Sequence, residues 1–130
     1  MEKESREKIE ELFKKVNQYN WDEGFDWLYE VLQLDYCDKG TALMIYWLSR
    51  PEYFCQYANE TEVKPWNEDN YKFVRFVEKI YPTISTEYII YDPYEDKQIA
   101  LYEGDFEIKS PLPQIMYQKT KGLLSYKDVR

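Results

Sequence analysis

From Ala42 to Leu48 every residue is apolar or aromatic, and the run opens on Asp38-Lys39-Gly40-Thr41. A surface helix keeps one polar side; a helix apolar all round must be enclosed by other elements. The run is far shorter than the about 20 residues a membrane span takes. It predicts a central helix at about 39–49, with Asp38 as N-cap and Asp38 and Thr41 satisfying free backbone N–H groups. Gly40 reads as a position of close helix packing. Helix N-termini also bind anions. Here, however, there is no Gly-rich loop or preceding strand, and Asp38 would repel the anion.

Partners for a central helix are legible on both sides. Residues 4–19 place Ile9, Leu12, Phe13, Val16 and Tyr19 at helical spacing, with Ser5 as cap and Lys14 and Lys15 suiting the C-terminal dipole. A second helix is expected over 21–33, capped by Asn20 or Asp22, with Trp21, Phe25, Leu28 and Leu32 on one face. Pro51 suits the first turn of a short fourth helix whose Phe54, Cys55 and Ala58 point inward. Residues 59–65 form a polar loop. Asn67 is expected to cap a fifth helix over 68–81, ended by Pro82.

After Pro82 the period changes. Glu87–Tyr91 and Lys97–Tyr102 are rich in strand formers and flank the turn sequence Asp92-Pro93-Tyr94-Glu95-Asp96, which predicts a β-hairpin at about 86–103. Phe106-Glu107-Ile108 offers a short third strand. The expected fold is mainly α with a small β part (α+β), about five packed helices followed by the C-terminal hairpin. One globular domain covers 1–118, and 119–130 is a loosely ordered basic tail.

Composition narrows function by exclusion. The chain contains no histidine, which removes His-based nucleophile systems and most transition-metal sites. Cys37 and Cys55 read as buried hydrophobes and cannot alone make a standard zinc site. No cofactor, metal or catalytic residue is expected. The charged N-terminus with no apolar stretch behind it predicts no secretory signal, so cytoplasm is the expected location.

The net charge of −8 is uneven: residues 51–105 carry five basic against twelve acidic groups, whereas 106–130 are net basic. An acidic body disfavours nucleic acid and suits a basic protein partner. Three acids open the second helix, Asp22, Glu23 and Asp26; they favour the helix dipole and can also face such a partner. Fourteen tyrosines and four tryptophans exceed the needs of a small core, so some are expected at the surface. The expected partner surface is Asp22, Glu23, Asp26, Tyr53, Tyr57, Glu60, Glu62, Tyr91, Asp92, Tyr94, Glu95 and Asp96.

Asn20-Trp21-Asp22-Glu23-Gly24, then Cys37-Asp38-Lys39-Gly40-Thr41-Ala42-Leu43 with Tyr46-Trp47, and later Tyr91-Asp92-Pro93, resemble a bacterial domain of unknown function, DUF4274, over about residues 19–94. Trp27-Leu28-Tyr29 is bulkier than that family's pattern. The resemblance implies a small bacterial cytoplasmic protein and no established activity. The expected function is a protein-binding module, an immunity or antitoxin protein that neutralises a basic toxin. The alternatives are a structural or self-associating subunit, such as a homodimer, and a carboxylate-based enzyme or small-ligand domain.

Overall fold

A computed structural model describes residues 3–84, 90–91, 107–118 and 120–125. Among the described residues the α-helices are α1 (Lys3–Asn17), α2 (Asp26–Leu32), α3 (Lys39–Leu48) and α4 (Glu68–Ile80). The described chain is mainly α. Short 3-10 turns link the helices, and two-residue strands β1 (Ile90–Tyr91) and β2 (Leu124–Ser125) pair in parallel.

The apolar run is the centre. Every residue of α3 from Gly40 to Trp47 is buried, and α3 packs on α1, α4 and β1. At about 1.5–3 kcal/mol per fully buried Leu, Ile or Met side chain, it supplies a large share of the core's stabilisation. Asp38 caps it: Oδ1 accepts from the Thr41 backbone N–H at 2.8 Å and from the Thr41 hydroxyl at 2.5 Å.

The close approach that Gly40 permits is made to a strand. A Cβ at Gly40 would lie 1.9 Å from the Ile90 carbonyl oxygen. The other Asp38 oxygen, Oδ2, accepts from the Ile90 N–H at 3.0 Å. One carboxylate therefore caps a helix and holds a strand against it.

Several local expectations are corrected. Ser5 lies inside α1 and is not its cap. The second helix is broken into a 3-10 turn at Trp21–Glu23 and α2, because Gly24 adopts φ 95°, outside the helical region. Asn20 caps the turn, accepting from the Asp22 N–H at 3.0 Å. Asn67 makes no cap bond to α4; its amide donates to the Tyr53 hydroxyl at 3.3 Å. The segment after Pro51 is a 3-10 helix, Pro51–Gln56, with Phe54 and Cys55 buried but Ala58 exposed.

The hairpin's turn and second strand lie outside the described residues. What β1 meets among them is β2, with Ile90 opposite Leu124 and Tyr91 opposite Ser125, so part of the segment expected to be a loose tail pairs with a strand. Glu107 and Ile108, expected in a third strand, are irregular, and Phe106 lies outside the described residues. The start of the segment 107–118 is fastened to the 3-10 helix Pro51–Gln56, and Met116 further on to α3. The Lys109 and Ser110 N–H groups both donate to the Cys55 carbonyl, at 2.7 and 3.1 Å. Trp47 Nε1 donates to the Met116 carbonyl at 3.1 Å, which satisfies a buried indole.

Candidate functional site

Aromatic packing places the acids. Phe73 of α4 is fully buried; it stacks on Phe25 at 4.8 Å and meets Trp21 and Tyr29 edge-on at 6.1 and 5.0 Å. This docks α2 against the middle of α4. Asp26 and Asp69 consequently both act on Tyr29, whose hydroxyl pKa is raised by burial first, then by Asp69 and, more weakly, Asp26, with Lys72 opposing. Lys72 pairs with Glu68 at 3.0 Å, and its pKa is raised by that hydrogen bond and charge, with Glu60 and Asp69 adding to them. Asp69 thus acts with Asp26 of α2 on Tyr29, and with Glu68 and Glu60 on Lys72.

Asp22 and Glu23 are exposed on the preceding turn. Glu23 and Asp26 add to burial in raising the pKa of Tyr19, whose hydroxyl donates to the Gly24 carbonyl at 2.7 Å.

A tyrosine turn adjoins this band. Arg50 takes the left-handed φ of 61° before Pro51, and its Nε pairs with the buried Glu52 at 2.6 Å. Tyr53 is 42% exposed and meets Tyr57 edge-on at 6.2 Å. The Tyr57 hydroxyl pKa is raised by burial and then by Tyr53. Ser110 Oγ donates to the Tyr57 carbonyl at 2.7 Å, fastening the C-terminal segment under the turn. Glu62 is engaged internally: it accepts from the Ala58 N–H at 2.8 Å and faces Lys109 Nζ at 3.5 Å, and both lower its pKa, the Ala58 bond more.

The expected partner surface is therefore only partly assembled. Asp26 meets Asp69 at Tyr29, and Glu60 meets Glu68 and Asp69 at Lys72; Tyr53 and Tyr57 pack together, with Glu62 bonded to the Ala58 N–H that follows them; Glu23 acts on Tyr19, and Asp22 is exposed on the same turn as Glu23. Asp92, Tyr94, Glu95 and Asp96, and the Tyr91 side chain, lie outside the described residues. Asp38 and Thr41 are fully buried in the cap.

Two features escaped sequence reading. Trp66, on the 3-10 turn Pro65–Asn67, is 79% exposed. Its signal was a tryptophan in Lys64-Pro65-Trp66-Asn67-Glu68-Asp69 with no apolar neighbour to share a core face. The other is internal. The buried Tyr46 hydroxyl donates to Glu78 at 2.7 Å, Glu78 pairs with Arg75, and the Arg75 guanidinium lies 4.9 Å from the Tyr71 ring centre.

Two clefts lie away from these residues. A cleft of about 300 Å³ is lined by Leu32, Leu34, Asp35, Cys37, Ile80 and Ile84 among others, and one of about 220 Å³ by Lys8, Glu11, Leu12, Lys15 and Tyr36. Among the described residues no group of three or more Cys, Asp or Glu is placed to hold a metal, and no helix is long and apolar enough to cross a membrane.

The chain belongs to the DUF4274 family, a domain of unknown function, whose model matches residues 7–82. The match begins within α1 and stops short of Tyr91-Asp92-Pro93, so it differs from the span of about 19–94 expected from the motifs. No curated protein and no solved structure matches the chain.

Proposed function

We propose that this DUF4274 domain is a protein-binding module, and specifically a cytoplasmic bacterial immunity or antitoxin protein that occludes a basic toxin. The observation that carries the reading is that Glu60, Glu68 and Asp69 all act on Lys72 while Asp69 and Asp26 both act on Tyr29, on a chain that also exposes Tyr53 and Trp66. Negative potential steers a basic partner and raises its on-rate. Tyrosine and tryptophan supply contact area at low entropic cost. A nuclease-like toxin, basic because its own substrate is a polyanion, has the complementary charge.

The test is co-expression with the product of the adjacent gene, read as rescue of growth and co-purification. Rescue that weakens when Asp26 and Asp69 are both changed to lysine supports the reading. Failure to bind or protect against any neighbouring product overturns it.

Self-association is the second reading. It is favoured by Ile115, Tyr117 and Leu123, exposed apolar residues on the C-terminal segment. Light scattering at two concentrations separates a dimer from a monomeric binder.

A further inference from the structure

The geometry points to Trp66 as the anchor of the acidic face, receiving an arginine side chain presented by a basic protein partner; this rests on the reading of that face given above. At 79% exposure its indole is the most exposed of the large hydrophobic side chains among the described residues. The backbone beneath it is held. Pro65 opens its 3-10 turn, the Asn67 N–H donates to the Lys64 carbonyl at 2.9 Å, and the Asn67 amide reaches the Tyr53 hydroxyl. A large ring on a held turn, free of core contacts, loses little entropy when a partner covers it.

Charge selects what covers it. Glu68 and Asp69 lie two and three residues after Trp66, in the first turn of α4, and both act on Lys72 together with Glu60. A cation over the indole face is favoured by the ring quadrupole, and the carboxylates add to the attraction. Arginine fits better than lysine because its planar guanidinium stacks on the ring while its N–H groups reach a carboxylate. The same arrangement already exists in α4, where Arg75 lies over the Tyr71 ring and pairs with Glu78. Trp66 offers the ring of that arrangement and Asp69, three residues on, an acid; Glu68 beside it is already paired with Lys72.

The probes are hexa-arginine and hexa-lysine peptides, titrated into the full chain at low salt and followed by tryptophan emission and calorimetry. The arginine peptide is expected to bind at least fivefold tighter. Trp66→Ala is expected to abolish that preference and leave both peptides at the affinity of hexa-lysine. Trp66→Phe, which keeps a ring, should retain part of it. Asp69→Asn should weaken both peptides together. Circular dichroism checks that each variant remains folded.

Equal binding of the two peptides by the unaltered chain, or a preference that survives Trp66→Ala, overturns the anchor and leaves the acidic-face reading standing. If neither peptide binds the unaltered chain, the acidic-face reading fails and the anchor falls with it. Self-association that Trp66→Ala abolishes assigns the indole to a second copy of the chain and also overturns the proposal.

Discussion

Asp38 Oδ2 accepts a hydrogen bond from the Ile90 N–H at 3.0 Å, 52 positions away in the chain, while Oδ1 caps α3 through Thr41. The carboxylate is fully buried and has three donors. Asp38→Ala removes an N-cap worth about 0.5–2 kcal/mol. It also leaves a buried N–H without an acceptor, at about 1–3 kcal/mol. The expected loss is about 3 kcal/mol by urea denaturation, with Asp38→Asn losing less because one oxygen acceptor remains. A loss below about 1 kcal/mol for Asp38→Ala would refute the dual role.

Gly40 makes the same junction possible by having no side chain. Gly40→Ala would normally favour a helix by about 1 kcal/mol. Here the new Cβ meets the Ile90 carbonyl oxygen at 1.9 Å and its carbon at 2.8 Å, and backbone atoms yield poorly. The expected outcome is a net destabilisation of about 2 kcal/mol, within the range for overpacking. Amide exchange at Ile90 should accelerate. A stabilised Gly40→Ala would show that β1 does not seat there.

Alkaline pH should act on two buried acids. The Cys37 thiol is pushed from 9.0 up to about 12, by burial first and by Asp38 second. The Tyr46 hydroxyl is raised from 10.0 by burial and then by the charge and hydrogen bond of Glu78, with Arg75 opposing. Both groups hold their protons more tightly folded than unfolded. The stability this contributes is complete below about pH 9 and is lost as pH rises through the folded pKa. The expected slope approaches about 1.4 kcal/mol per pH unit per group. Cys37→Ala should flatten it between pH 9 and 12, and Tyr46→Phe from pH 10 upward. Denaturation curves at pH 8, 9.5 and 11 measure both, and identical slopes in all three proteins would contradict the burial of these groups.

Phe73 and Trp66 should behave oppositely despite similar chemistry. Phe73 is fully buried among Trp21, Phe25 and Tyr29, so Phe73→Ala is expected to cost about 3–5 kcal/mol. Trp66→Ala should change stability by under about 0.5 kcal/mol. Thermal melts of the two variants compare them directly. A large loss at Trp66 would show that its indole serves the core.

The helices were legible because their signals are local. Ile9, Leu12, Phe13 and Val16 repeat at helical spacing and are buried in α1. Asp38 announced the start of α3 by its residue type and its place before an apolar run. The break at Gly24 was less legible. The apolar spacing runs through it, and only the glycine's φ of 95° ends the helical path. The acidic band was half legible: Asp26 stood out as an acid, but its meeting with Asp69 at Tyr29 depends on how Phe73 docks α2 against α4.

By itself the sequence determined that α3 is central and mainly what surrounds it, because hydrophobic periodicity is a property of neighbouring residues. It also determined the excess of acid and aromatic groups that an interface needs. Tertiary structure decided what Gly40 makes room for, which carboxylate meets the buried Tyr46 hydroxyl, and which tryptophan is left outside. Those outcomes depend on pairs far apart in the chain. Ile90 meets Asp38, and Lys109 and Ser110 meet Cys55, through backbone N–H groups that every residue but proline carries, so no pattern of side chains marks them beforehand. Trp47 and Trp66 are the same residue type, yet one finds the Met116 carbonyl in the core and the other faces solvent, because only the assembled packing sets how much room the core has.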